Sequence, residues 1–175
     1  MKADAVVKAL KKRLGAKLLD SRIDKCVLKV KKKFSTPSVW VNVEQAGFMD
    51  AVKEIYRLQP SAHFVIISGY ELDGKVELIY HFSLGYAKQF SELAVNMKIV
   101  LPKTKLSLPT ITGIVPGALI SEREIQEMLG IKIEGIPDSR RLFLDESFPK
   151  NVFPWRQGKE GPGRLVRNMH KGAKK

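Results

Sequence analysis

GFMDAVKEIYRLQPSAHFVIISGYELDGKVELIYHFSL, residues 47–84, changes its hydrophobic period halfway along. Phe48, Ala51, Val52, Ile55 and Tyr56 recur at the spacing of one helix face, which predicts a helix from Gly47 to Leu58. Pro60 ends it, because proline has no N–H to continue the ladder. His63–Leu72 and Lys75–Leu84 then read as two strands joined at Asp73-Gly74, a pair that accepts the positive φ of a tight turn. The helix stripe is expected to dock on the sheet that this hairpin begins.

Upstream, Ala3–Leu14 reads as a helix with Val6, Ala9, Leu10 and Leu14 near one face and lysines elsewhere. It can pack on the domain or lie on a membrane surface as a basic amphipathic helix. Lys17–Asp24 and Cys26–Lys32 look like two short strands, and in the second Cys26, Leu28 and Val30 alternate with Lys29 and Lys31. Pro37 breaks the chain before a strand at Val39–Val43, and Val95–Leu101 adds another ahead of Pro102. The expected fold is α+β: a two-layer domain over residues 1–102 with helices packed on a mainly antiparallel sheet, then an extended irregular C-terminal segment.

Charge is concentrated at the ends. The net charge is +13, yet residues 1–33 carry twelve Lys/Arg against Asp4, Asp20 and Asp24, and residues 156–175 carry seven against Glu160. The body between them is nearly neutral, so the basicity suits phosphate, anionic headgroups or an acidic protein partner bound at the ends. No run approaches the roughly 20 apolar residues that span a bilayer, and no secretory leader is expected at Met1–Leu14, which lysines interrupt. The single Cys26 cannot hold an iron–sulfur cluster, and His63, His81 and His170 lack companions at metal-ligand spacing. No glycine-rich loop joins a strand to a helix in the dinucleotide-binding manner, and Gly161-Pro162-Gly163-Arg164 reads as a hinge. No catalytic residue and no cofactor of its own is expected in this chain.

The densest stretch is PGALISEREIQEMLGIKIEGIPDSRRLFLDESFPKNVFPWR, residues 116–156. Ser121 and Glu124 have the S-x-x-E spacing of a capping box, and Gly130 is placed to stop the helix in a left-handed turn. Asp138 has the local role of bonding turn N–H groups. Arg140 and Arg141 are candidates for ion pairs, internal with Glu122 or Glu127 or across to a partner. Trp155 reads as an interface anchor or a core residue. Residues 103–148 form a segment expected to pack on both core and partner, and 149–175 an extended basic tail with little intramolecular core to receive it.

This segment resembles the signature of the 30 kDa subunit of respiratory complex I, the C subunit of bacterial NADH–quinone oxidoreductase, whose relatives occur in membrane-bound NiFe hydrogenases. The resemblance runs through Leu108-Pro109-Thr110-Ile111-Thr112, Pro116-Gly117-Ala118, Glu122-Arg123-Glu124, Leu129-Gly130-Ile131, Gly135-Ile136-Pro137-Asp138, Arg140-Arg141-Leu142 and Pro154-Trp155-Arg156. Val115, Leu129 and Ile136 depart from the usual aromatic, Phe and His, which points towards a hydrogenase-type relative.

The resemblance implies a non-catalytic subunit on the cytoplasmic side of the cell membrane, associated with it indirectly. Its partners would be a large NiFe-hydrogenase-like subunit and a small iron–sulfur subunit, which would carry the iron–sulfur clusters and the Ni-Fe centre. Glu122, Arg123, Glu124, Asp138, Arg140, Arg141, Phe153, Trp155 and Arg156 are then the candidates for the partner interface. The alternatives are a subunit of an NADH–quinone or sulfur-reducing complex, and a basic nucleic-acid-binding module. Residues 1–33 contain no aromatic side chain to stack on bases, so no nucleic acid is expected.

Overall fold

Alternation along the strands decides which face of the sheet is wet. In the computed structural model, which describes residues 2–29, 33–87 and 92–165, five strands pair in the order β1-β2-β5-β4-β3. They are β1 (Leu18–Lys29), β2 (Lys33–Val43), β3 (His63–Leu72), β4 (Lys75–Leu84) and β5 (Leu93–Pro102). All neighbours are antiparallel except β2 and β5, which run parallel. Val39 and Val41 of β2, Met97 and Ile99 of β5, and Leu78 and Tyr80 of β4 are buried on one face. Burying such a side chain contributes about 1.5–3 kcal/mol. This row is the floor of the core.

Helices cover that face. In α1 (Ala3–Leu14) the buried stripe is Ala3, Val6, Leu10 and Leu14, and in α2 (Phe48–Leu58) it includes Phe48, Ala51, Val52 and Ile55. The Phe48 ring meets Tyr80 at 4.8 Å, and Tyr56 meets Phe82 edge-on at 6.1 Å. The apolar side of α1 is thus used inside the domain, which settles packing over membrane insertion for that helix. The fold is α+β, with three α-helices among the described residues packed on a mostly antiparallel sheet.

The opposite face carries a polar ladder. His81 Nδ1–H donates to Asn96 Oδ1 at 2.7 Å, leaving Nε2 to accept from Ser68 Oγ at 3.0 Å. Tyr70 Oη and Lys98 Nζ both donate to Glu77 Oε2. His81 is a cross-strand link in the sheet.

The hairpin turns at Asp73 (φ 48°) and Gly74 (φ 73°) within the expected bounds. Two expectations fail nearby. The two short strands at 17–32 are one strand, Leu18–Lys29, because its ladder with β2 runs on through Asp24, Lys25 and Cys26. Pro37 lies inside β2 opposite Lys25, while the ladder to β5 begins only at Ser38, so its missing N–H leaves no bond unmade on that side. The alternation of Cys26 and Leu28 with Lys29 concerns side chains outside the described residues, as do Val30 and Lys31.

After β5 the chain adds α3 (Leu119–Leu129) and a two-stranded parallel pair, β6 (Ser107–Pro109) with β7 (Lys132–Glu134). Leu108, Ile111, Ala118, Ile125, Leu129 and Ile133 join the same core as the sheet. At the edge strand β3, Gly69 admits α3: a Cβ there would meet Leu129 Cδ1 at 2.6 Å.

Candidate functional site

Pro116 opens a 3-10 turn that runs straight into α3, so the helical rod begins before Ser121 and no side chain caps it. The expected capping box is therefore absent: Ser121 sits inside the first turn, and Glu124 makes no side-chain hydrogen bond among the described residues. Glu122 works instead. Its carboxylate is fully buried and accepts from Thr110 Oγ1 at 2.5 Å and from the Ile111 N–H at 2.7 Å, stitching the segment after β6 to α3. Burial pushes the Glu122 carboxyl above its ordinary value, against the pull of those two donors. Tyr80 beneath is wholly buried with an unpartnered hydroxyl, and burial raises its phenol well above the ordinary value, the Glu122 charge adding to it.

Gly130 ends α3 at φ 69°, ψ 30°, as expected from its position. The outward side chains of α3 then pin the irregular loop that follows. Arg123 donates to the carbonyls of Arg140 and Arg141, both at 2.9 Å, and its Nη1 lies 3.3 Å from Asp138 Oδ2. Gln126 reaches the Ser139 carbonyl. Glu127 accepts from three successive backbone N–H groups, those of Leu142, Phe143 and Leu144, at 3.1, 2.9 and 2.8 Å.

Asp138 bonds the Arg140 N–H and guanidinium, as expected of a turn residue. Those bonds, with the Arg123 charge nearby, hold its carboxyl far below the ordinary range. Arg140 and Arg141 do not pair with Glu122 or Glu127. Glu122 is turned into the core and Glu127 is occupied by backbone, so Arg140 pairs with Asp138 while Arg141 donates to the Asp145 and Phe148 carbonyls.

The exit docks on its own domain, contrary to the reading that little core remained for it. Trp155 N–H donates to the Met128 carbonyl at 3.0 Å, and Arg156 Nη1 reaches the Leu129 carbonyl. These are orphan acceptors at the end of α3, where a cation is also favoured by the helix dipole. Arg156 is only 4 % exposed; its Nε lies 3.2 Å from Glu71 Oε2 on β3, and its Nη2 bonds Glu160. The Gln157 N–H, the Lys103 ammonium and the Arg156 charge together keep the Glu71 carboxyl below its ordinary value despite burial. Gly161 presses on the Arg156 carbonyl, which fixes the start of the Gly-Pro-Gly stretch, while Gly163 is exposed with open space where a Cβ would stand.

Of the nine interface candidates, Glu122 and Arg156 are internal, and Arg123 and Asp138 are mostly occupied within the loop. Arg140 and Trp155 point outward, with 85 % of the Arg140 side chain exposed. Phe143, not singled out from sequence, is at 62 % the most exposed large apolar side chain among the described residues; Ile120 on α3 is exposed too. Its signal was local: an aromatic inside a short apolar run with charge on both sides. The basic residues Arg167, Lys171, Lys174 and Lys175 lie outside the described residues. Among the described residues no three His, Cys, Asp or Glu converge on a metal position, and no helix is long and apolar enough to cross a membrane.

Residues 41–164 match the family described as respiratory-chain NADH dehydrogenase, 30 Kd subunit. The chain belongs to this 30 kDa subunit family. It is 35% identical over 139 residues to the membrane-bound hydrogenase subunit beta of Pyrococcus furiosus, covering 78% of this chain and 79% of that one. A chain in the structure of the membrane-bound sulfane sulfur reductase, an archaeal respiratory membrane complex, superposes with a TM-score of 0.64 at 18% identity, covering 88% of this chain and 83% of that one. A trypsin-resistant fragment of Nqo5 gives 0.57 at 19% identity, covering 79% and 99%. These two structural likenesses concern the fold. The 30 kDa chains are subunits of multi-subunit oxidoreductases.

Proposed function

We propose that this 30 kDa-family chain is a structural subunit without catalytic residues, in the peripheral arm of a membrane-bound, hydrogenase-type relative of complex I. It docks on the large NiFe-type subunit, beside the small iron–sulfur subunit, and those partners carry the iron–sulfur clusters and the Ni-Fe centre. The assembly holds it at the cytoplasmic side of the membrane without a span of its own. The likeness to a membrane-bound hydrogenase subunit beta favours the hydrogenase type.

The observation that carries the docking reading is Phe143. Its backbone and those of its neighbours are fixed by Glu127 and Arg123, yet its ring stands in solvent. Ordering a loop costs roughly 1–2 kcal/mol per residue, and a rigid loop that presents an aromatic has met that cost before a partner arrives. Trp155 and Arg140 extend the same presentation.

The test is co-purification of the tagged full chain with a co-expressed large NiFe-type subunit. Phe143→Ala combined with Trp155→Ala should abolish recovery of the complex while the isolated chain keeps its melting temperature. Unchanged recovery would sink the docking face. Redox turnover or bound iron in the isolated chain would sink the non-catalytic role.

A further inference from the structure

The outer surface where α1 meets α2 forms a concave groove of about 730 Å³, lined by Ala9, Lys12, Arg13, Lys53, Glu54 and Arg57. Four of the six are cations. Glu54 is almost wholly buried at the base, gripped by Arg57 through two hydrogen bonds of 2.8 and 2.7 Å. The Arg57 hydrogen bond, then the charges of Arg57, Arg13 and Lys12, draw its carboxyl below the ordinary value against the effect of burial. A carboxylate already in the groove thus senses a net positive field there.

Helix-end chemistry explains part of this charge. Lys12 and Arg13 lie in the last turn of α1 and Arg57 in the last turn of α2, where cations offset the dipole. Arg13 is also paired with Asp50 at 2.8 Å. Lys53 has neither excuse: it sits mid-helix, exposed, and forms no ion pair among the described residues, and Lys12 forms none either. Neither lysine closes an ion pair among the described residues, and Lys12 only adds its charge at a distance to the Arg57 and Arg13 charges already acting on Glu54.

The lining discriminates among anions. It holds no aromatic to stack a nucleobase. It also offers no exposed apolar side chain for insertion into a bilayer, since the apolar stripe of α1 is spent on the core. A concave, charged trough suits an extended chain carrying side-chain carboxylates.

We propose that the α1–α2 groove is a second docking surface that receives an acidic segment of a neighbouring subunit, read by Lys12 and Lys53 with Arg13 and Arg57 at its rim. This rests on the chain being an assembly subunit. The groove lies over the α1 half of the sheet, whereas α3 and the Phe143 loop belong to β3 at the opposite edge. The two surfaces therefore serve different contacts.

The probe is a labelled oligoglutamate peptide titrated onto the full chain by fluorescence anisotropy, beside inorganic phosphate, phosphatidylglycerol vesicles and a single-stranded RNA. The peptide should bind, and more weakly as salt is raised from about 50 to 200 mM. Lys12→Glu with Lys53→Glu should weaken it about tenfold. Lys174→Glu with Lys175→Glu, a control for the basic tail, should leave it within about twofold. Lys12→Gln with Lys53→Gln replaces the first pair if charge reversal perturbs the fold. Equal binding by the groove variant and the unaltered chain would overturn the proposal. So would no peptide binding, or tighter binding of phosphate, vesicles or RNA through the same two lysines. Phe143→Ala with Trp155→Ala must leave peptide binding intact, which separates failure of the groove from failure of the docking loop.

Discussion

The Phe153 ring occupies the space above Gly130 where any other residue would carry a side chain: a Cβ at 130 would stand 2.6 Å from Cζ of that ring. One glycine therefore meets two demands, the positive φ that ends α3 and the seat of the C-terminal exit. Gly130→Ala should destabilise the chain by about 2–4 kcal/mol, combining left-handed strain with overpacking. Adding Phe153→Ala should return the steric part only. A thermal-melt double-mutant cycle that comes out additive would refute the coupling.

Glu122 predicts a stability that falls with rising pH. Its folded-state carboxyl titrates above the ordinary value, so the contribution is complete below that value and fades as pH climbs through the raised one. Glu122→Gln keeps the shape and cannot ionise. Urea midpoints of the variant should change less than those of the unaltered chain between mildly acidic and neutral pH, and parallel profiles would count against this.

Glu71 has the opposite sign. Its carboxyl is depressed by Gln157, Lys103 and Arg156, so the stability it supplies is present above the ordinary value and lost as pH falls through the lowered one. Acid should release the exit first. Glu71→Gln leaves the Arg156 guanidinium buried beside the half-exposed Glu160 alone, at a cost of about 3 kcal/mol. Cleavage after Lys159 by a lysine-specific protease should accelerate in Glu71→Gln; an unchanged rate would show that the exit is held otherwise.

Glu127→Gln tests the loop without touching the core. An amide has one acceptor oxygen and turns an NH₂ towards backbone donors that a carboxylate satisfies on both oxygens. Hydrogen exchange at Leu142–Leu144 should speed up markedly while β4 and β5 keep their protection. Equal protection in the variant would remove Glu127 from the loop's support.

Much of the first hundred residues was legible because its signals are local. Asp73-Gly74 placed both ends of the hairpin, the stripe of α2 marked its inward face, and Gly130 stopped α3. What escaped depends on distant partners. Pro37 reads as a breaker until one knows that β5 pairs only from Ser38 onward. The Ser121–Glu124 spacing imitates a cap, while Glu122 between them binds Thr110 and Ile111, and no periodicity announces that contact. Arg156 reads as a candidate for a partner interface because Glu71, its counterion, lies 85 positions away on β3. The docking face was visible as a segment and not as side chains: Phe143 stands out only once the bonds of Glu127 are seen.

β5 is the middle strand of the five, yet it is the last of them along the chain. Until Leu93–Pro102 has left the ribosome, the β1–β2 and β3–β4 pairs each keep a raw inner edge, and the valines of β2 have no lateral neighbour on that side. Unpaired edges recruit other strands. A message truncated ahead of Leu93 would therefore yield two sticky halves, and a pause in translation there would leave both edges open to other strands.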